Sequence, residues 1–196
     1  MQPKTIIFIG PQGSGKGTQV ELLAETYQAT GRPVSCIQTG DIFRSLGVAD
    51  SYVAKAVQAH IEAGNLMPDA ITNGLVVERI LQVVDAKKTL IFDGYPRSKS
   101  QVEILFEVLK FFGRTKADVI HLDTPDSVVI ERMQARNRSD DTSESIASRL
   151  AIYHAETEPL LDLFNTMGEE VTVIPIAGAQ SIEEVQAEII NKLGHE

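Results

Sequence analysis

Between Gly10 and Thr18 the chain reads Gly-Pro-Gln-Gly-Ser-Gly-Lys-Gly-Thr, and these residue types suit the binding of phosphate. Backbone N–H groups wrap an anion closely only where no Cβ blocks the approach, which glycine allows. Lys16 adds a full positive charge. The run follows an apolar stretch, Thr5-Ile6-Ile7-Phe8-Ile9, with the character of a buried strand, and precedes Gln19-Val20-Glu21-Leu22-Leu23-Ala24, which has helical spacing. Strand, glycine-rich loop, lysine and helix together make a phosphate cradle, because a helix N-terminus contributes unpaired donors and a positive partial charge. The strict motif has Ser or Thr directly after the lysine; here Gly17 intervenes and Thr18 follows. A turn that only joins a strand to a helix is the structural alternative. Position, strand context and lysine all agree on a nucleoside triphosphate site.

Asp93 ends a second apolar run, Leu90-Ile91-Phe92-Asp93. A carboxylate at the end of a central strand near a phosphate loop is suited to hold Mg²⁺ through water; capping of the next turn is the plainer reading. Asp93-Gly94-Tyr95-Pro96-Arg97 packs a permissive Gly, a rigid Pro and an Arg into one turn. Arginines then cluster at Arg132, Arg136, Arg138 and Arg149, with Arg44 and Arg97 after earlier strands. Arg132 and Arg136 are four apart and share a helix face, while Arg138 and Arg149 are expected to flank the next helix start. The planar guanidinium fork matches phosphate oxygens, and six arginines plus Lys16 exceed what one triphosphate needs. Two phosphorylated substrates are implied. A sugar hydroxyl as acceptor would require a general base, which the chain does not offer plainly; a monophosphate acceptor, already anionic, requires none. Asp140 and Asp141 read as caps of the following helix or as groups that meet the nucleotide on closure, with capping favoured for Asp141. Thr115-Lys116-Ala117-Asp118 reads as a surface turn, and His60, His121, His154 and His195 as packing or surface residues.

The elements that must position these groups alternate. Apolar runs at Thr5–Gly10, Val34–Gln38, Thr89–Asp93, Val119–Asp123 and Val171–Ile176 read as strands. Gly17–Ala29, Pro68–Val84, Ser98–Phe111, Pro125–Arg136, Thr142–Met167 and Ile182–Leu193 have helical spacing. Ser181 with Glu184 forms a capping box, and Thr124-Pro125 reads as a cap followed by the first helical residue. The alternation implies a parallel sheet covered on both faces. Residues 39–68 exceed one crossover and read as a small helical insertion; 136–141 is a short polar segment. At 196 residues and 43% hydrophobic content the chain is one domain. Its net charge of −9 argues against general nucleic-acid binding, so positive charge must be concentrated locally. Cys36 is the only cysteine, which excludes an internal disulfide and a multi-cysteine zinc site and suits a reducing, cytoplasmic setting. No apolar stretch reaches membrane-span length, and Met1-Gln2-Pro3-Lys4 lacks a signal-peptide layout.

With the loop, Thr39-Gly40-Asp41 followed by Arg44, the Asp-Gly-Tyr-Pro-Arg run and the arginine cluster taken together, essentially the whole chain from Thr5 to Leu193 resembles the adenylate kinases. Gly17 before Thr18 is that family's own form of the loop. The resemblance implies a three-layer P-loop NTPase fold with a five-stranded parallel sheet in the order 2-3-1-4-5, and a cis Tyr95-Pro96 peptide. It implies Mg²⁺-dependent transfer from ATP to AMP giving two ADP, by a monomer without a nucleic-acid or membrane partner. Gly10, Gly13, Ser14, Gly15, Lys16, Gly17 and Thr18 would hold the ATP phosphates. Arg132 would stack on the ATP adenine near Gly178, and Arg136 would contact the ATP phosphates. Thr39, Gly40, Arg44, Gly94, Arg97, Gln101, Arg138 and Arg149 would form the AMP site, with Leu66 and Met67 beside the base. Lys16, Arg97, Arg136, Arg138 and Arg149 would stabilise the transferring group, and Asp93 would order Mg²⁺. Two departures stand out. Tyr95 replaces the family's usual Phe, a mild change, and only Asn137 separates Arg136 from Arg138, so the lid at 136–141 is minimal and cannot carry zinc. Gln101 favours AMP, whereas Arg138-Ser139-Asp140-Asp141 also looks like the pyrimidine monophosphate kinases. A UMP/CMP kinase is therefore the alternative. A nucleotide-binding switch is a third reading, which leaves the second-site arginines unexplained.

Overall fold

The computed structural model describes residues 3–47, 50–136 and 141–194. Five parallel strands, β1 (Thr5–Ile9), β2 (Val34–Gln38), β3 (Thr89–Asp93), β4 (Ala117–Asp123) and β5 (Val171–Ala177), form one sheet in the order β2-β3-β1-β4-β5, as the resemblance implies. β1 lies at the centre, with Ile7 level with Phe92 of β3 and Val119 of β4. All five of its residues are buried, which is why its sequence is a continuous apolar run rather than an alternating one.

Successive residues of each strand still point to opposite faces. Ile7, Ile9, Leu90, Phe92 and Val119 pack with Val76 and Ile80 of α4 (Asp69–Val83), Val102, Leu105 and Leu109 of α5 (Lys99–Phe111), and Phe164 of α8 (Leu160–Thr166). Ile6, Phe8, Ile91, Ile120 and Leu122 pack with Val20, Leu23 and Tyr27 of α1 (Lys16–Ala29) and Val185 and Ile189 of α9 (Ile182–Lys192). α2 (Thr39–Leu46) and α3 (Tyr52–Glu62) lie within 39–68, between β2 and α4. α6 (Asp126–Ala135) and α7 (Ser143–Ile152) flank the 136–141 segment.

Several local expectations need correction. The helix expected over Thr142–Met167 is broken: α7 gives way to a π-helical turn at Tyr153–Thr157, and α8 begins after Pro159, whose ring cannot continue an N–H ladder. Arg149 therefore lies inside α7 rather than beside its start. At α6 the cap position is Pro125, and among the described residues no side chain caps the helix; the Thr124 hydroxyl turns back to Leu122 O. At α7 the cap is Thr142, whose hydroxyl accepts from Ser145 N–H, so Asp141 is not the cap. Ala117 and Asp118 belong to β4, not to a surface turn. Ser98 caps α5 and Ser181 caps α9 in a full capping box.

The Tyr95–Pro96 peptide is cis, and Tyr95 is fully buried. Its hydroxyl donates to Asn73 Oδ1 at 2.8 Å and more weakly toward Gln101 O at 3.2 Å. The change from Phe is therefore more than mild, since it adds a polar tie between α4 and α5. Tyr95→Phe is expected to cost about 1 kcal/mol, read as a lower midpoint in urea denaturation with an unchanged m-value.

Candidate active site

The carboxyl ends of the strands, where open α/β sheets bind ligands, gather the predicted residues that the structure describes. The loop from Gly10 to Gly15 needs glycine chiefly at Gly13. There φ is +97°, and a Cβ would come within 2.6 Å of Met133 Cγ. α6 thus packs directly on the loop, and the loop in turn positions α6. Arg132, next to Met133, donates to Ser14 O at 3.3 Å and to Gly178 O at 2.8 Å, joining loop, α6 and the β5–α9 connection. The Ser14 hydroxyl is buried and has no hydrogen-bond partner among the described residues. Lys16 opens α1 and folds back over the loop, donating to Gly10 O and Pro11 O, both at 2.8 Å. Burial lowers its pKa to about 8; Asp93 pulls it upward, and Arg97 and Arg136 push it further down.

Two cavities meet at this point. One, of about 610 Å³, is lined by Gly13 to Thr18, Asp93, Arg132, Arg136 and Gly178. The other, of about 390 Å³, runs under α2 and α3 and is lined by Thr39, Leu66, Met67, Gln101, Arg149 and Phe43. Gln12, Lys16, Gly40, Arg44, Gly94 and Arg97 line both. Both volumes lie in the range of small-molecule sites.

The arginines are held differently. Arg97 Nε donates to Gly94 O at 2.9 Å, and its backbone N–H to Gln101 Oε1 at 2.8 Å. Burial lowers its pKa, Asp93 raises it and Arg149 lowers it. Arg44 is 58% exposed and pairs with Asp41 at 2.5 Å. Asp141 joins the two cavities' arginines. Its carboxylate, 2% exposed, takes Arg136 Nε at 2.5 Å and Nη2 at 2.8 Å, and Arg149 Nη1 at 2.8 Å. Arg149 also reaches Ile61 O at 3.0 Å, tying α7 to α3. Burial would raise the Asp141 pKa, but the Arg136 hydrogen bonds and the charges of Arg136 and Arg149 outweigh it and hold it low.

The Thr39 hydroxyl donates to Gly94 O at 2.9 Å, bracing the turn after β3. Gly94, at φ +74°, lies so close that a Cβ would meet that hydroxyl at 2.5 Å. Arg138 and Asp140 lie outside the described residues, so their predicted roles have no structural counterpart here. Sequence reasoning passed over Gln12, Phe43 and Asp69. The last resembled an ordinary acid in the first turn of a helix, and only its partners distinguish it.

A parallel P-loop sheet with a phosphate cradle on one side, an arginine-lined cavity on the other and a lysine between them defines a nucleotide phosphotransferase. The family model for adenylate kinase matches residues 8–169. Adenylate kinase 1 of Nostoc sp. is 39% identical over 189 residues, covering 96% of this chain and 98% of its own. The adenylate kinase of Corynebacterium diphtheriae is 38% identical with the same coverage, and that of Leptospira biflexa 34% identical over 97% of this chain and all of its own. The chain belongs to the adenylate kinase family and is a phosphotransferase enzyme.

Proposed function

We propose that ATP binds in the cavity bounded by the phosphate loop, AMP in the cavity under α2 and α3, and that the γ-phosphoryl group crosses where Lys16 and Arg97 line both. The shared lining carries this reading. A transferring phosphoryl group needs in-line positioning and stabilisation of charge on its equatorial oxygens more than covalent chemistry. Lys16, Arg97, Arg136 and Arg149 supply that charge, with Arg138 proposed to join them, and the anionic acceptor oxygen needs no base. Gly10, Gly13, Ser14, Gly15, Gly17 and Thr18 offer donors to the ATP phosphates, and the buried Ser14 hydroxyl has a hydrogen-bonding valence to give. Arg132 and Gly178 would take the ATP base. Thr39, Gly40, Arg44 and Gly94 would take the AMP phosphate and ribose, and Leu66, Met67 and Gln101 the base.

Mg²⁺ fits this donor set, because hard cations prefer oxygen ligands and retain water. Asp93 and Thr18 line the ATP cavity and would hold it, and the bound ion would neutralise charge on the β- and γ-phosphates. The single cysteine suits a cytoplasmic setting.

An ADP-release assay across monophosphate acceptors tests the function, with AMP expected to outpace CMP and UMP; the reverse order would make the pyrimidine alternative correct. Arg44→Ala tests the division of sites. Arg44 lines both cavities but is proposed to hold only the AMP phosphate, so the change is expected to raise KM for AMP about tenfold or more while leaving KM for ATP near wild type, since a lost charge-assisted hydrogen bond weakens only the ligand it serves. An equal rise in both constants would contradict the division.

A further inference from the structure

Asp69 opens α4, and its carboxylate joins the starts of α4 and α5. One oxygen, Oδ2, accepts from Ser98 Oγ at 2.7 Å and from Ser100 Oγ; the other, Oδ1, accepts from Gln101 Nε2 at 2.7 Å. The opposite end of the same amide is also engaged, since Gln101 Oε1 accepts the Arg97 backbone N–H at 2.8 Å. Gln101 is 2% exposed and lines the cavity under α2 and α3. A glutamine amide has two N–H donors and an oxygen with two lone pairs, so each engaged end retains one valence for a ligand.

Turning such an amide by 180° exchanges donor and acceptor with almost no change of shape. Here the partners exclude the exchange, because a carboxylate only accepts and a backbone N–H only donates. In the turned amide Oε1 would face the Asp69 carboxylate and Nε2 the Arg97 N–H, repulsive at both ends. Burial would raise the Asp69 pKa, but hydrogen bonds from Ser100, Ser98 and Gln101 outweigh it and lower it. The group therefore stays an acceptor at neutral pH.

We infer that Asp69 is a positioning residue that determines base specificity by fixing the polarity of the Gln101 amide toward the acceptor cavity. The inference rests on that cavity being the monophosphate site with Gln101 beside the base. The locked amide offers a donor on the Asp69 side and an acceptor on the Arg97 side. It complements an edge that carries a ring-nitrogen acceptor beside an amino donor, as in adenine. Hypoxanthine has nearly the same shape with that edge reversed, a ring N–H beside a carbonyl, and is refused. The Arg97 end is backbone and survives any side-chain change, so Asp69 is the end open to test.

The experiment compares kcat/KM for AMP and for inosine monophosphate in wild type, Asp69→Asn and Asp69→Ala, with melting curves to verify folding. Asp69→Asn keeps the shape and maintains the test should Asp69→Ala fail to fold. The AMP-to-IMP ratio is expected to fall about tenfold in Asp69→Ala, and by less in Asp69→Asn, whose amide can accept from Gln101 or donate to it and so no longer excludes the turned amide, through KM for the monophosphate, with KM for ATP within about twofold of wild type. An unchanged ratio in a folded variant, or an equal loss for both acceptors, would overturn the inference. A wild-type enzyme indifferent to every monophosphate would overturn the reading of the cavity itself, and the inference with it.

Discussion

Replacing Lys16 with Met is expected to lower kcat by about 10³-fold or more, the scale seen when a group aimed at developing transition-state charge is removed. Met keeps most of the volume of the side chain as far as Cε, with sulfur in place of Cδ, and deletes the ammonium group. The Nζ atom lies where the two cavities join, beside the loop carbonyls of Gly10 and Pro11. In that position it holds those carbonyls, and a triphosphate would draw it away from them. If the charge acts in the transition state, kcat and kcat/KM fall together; a rise in KM alone would mean that Lys16 serves only ground-state binding. A pH profile gives an independent check. Withdrawal from water lowers the Lys16 pKa to about 8, against the upward pull of Asp93 and with Arg97 and Arg136 pushing the same way as burial. The free enzyme therefore holds the proton below that value and loses it above. Because kcat/KM reports the free enzyme, kcat/KM for ATP is expected to decline as pH rises through about 8. The decline should be missing from the Met variant; the same decline in both would assign it to another group.

Asp141→Ala is expected to have the largest effect on stability, about 3 kcal/mol or more, measured by urea denaturation. The carboxylate is 2% exposed and its partner Arg149 7%. Removing one member of a buried pair leaves the other with its desolvation cost and without its compensating charge. The pH dependence has a definite sign. A carboxyl whose folded pKa is lowered contributes fully above its unfolded value, about 3.9, and the contribution is lost as pH falls through the folded value. The gap between wild type and variant should thus be full at neutral pH and shrink below about pH 4; a gap constant into acid would show that lost packing, not charge, causes it. Kinetically, Asp141 holds at once Arg136, which lines the cavity at the phosphate loop, and Arg149, which lines the cavity under α2 and α3. KM for both nucleotides should therefore rise, in contrast to Arg44→Ala.

The contrast between Asp141 and Lys16 marks how far the sequence was legible. Lys16 and its glycines are contiguous, and local backbone geometry is what a phosphate cradle needs, so the motif is complete within nine residues. Asp141 was read as a helix cap because an acid just before a helix has that local role; the actual cap is its neighbour Thr142. Its partners lie five and eight residues away, and only the meeting of α6 and α7 brings them together. The break at Tyr153–Thr157 escaped notice for a similar reason, since apolar spacing of three and four continues through one extra residue per turn.

The sequence by itself determined the parallel sheet, the phosphate loop and the set of arginines, while the cis Tyr95–Pro96 peptide followed only from the family resemblance. Each depends on periodicity, on a backbone dihedral or on a residue type, and these act between near neighbours. Tertiary structure alone decided what those arginines face. It bound Arg136 and Arg149 to one carboxylate, joined two cavities at Lys16, and set the Gln101 amide between Asp69 and the Arg97 backbone. Hydrogen bonds and ion pairs form over about 3 Å, and residues as distant in sequence as Asp69 and Gln101, 32 positions apart, or Ile61 and Arg149, 88 apart, reach that distance only after the helices have packed on the sheet.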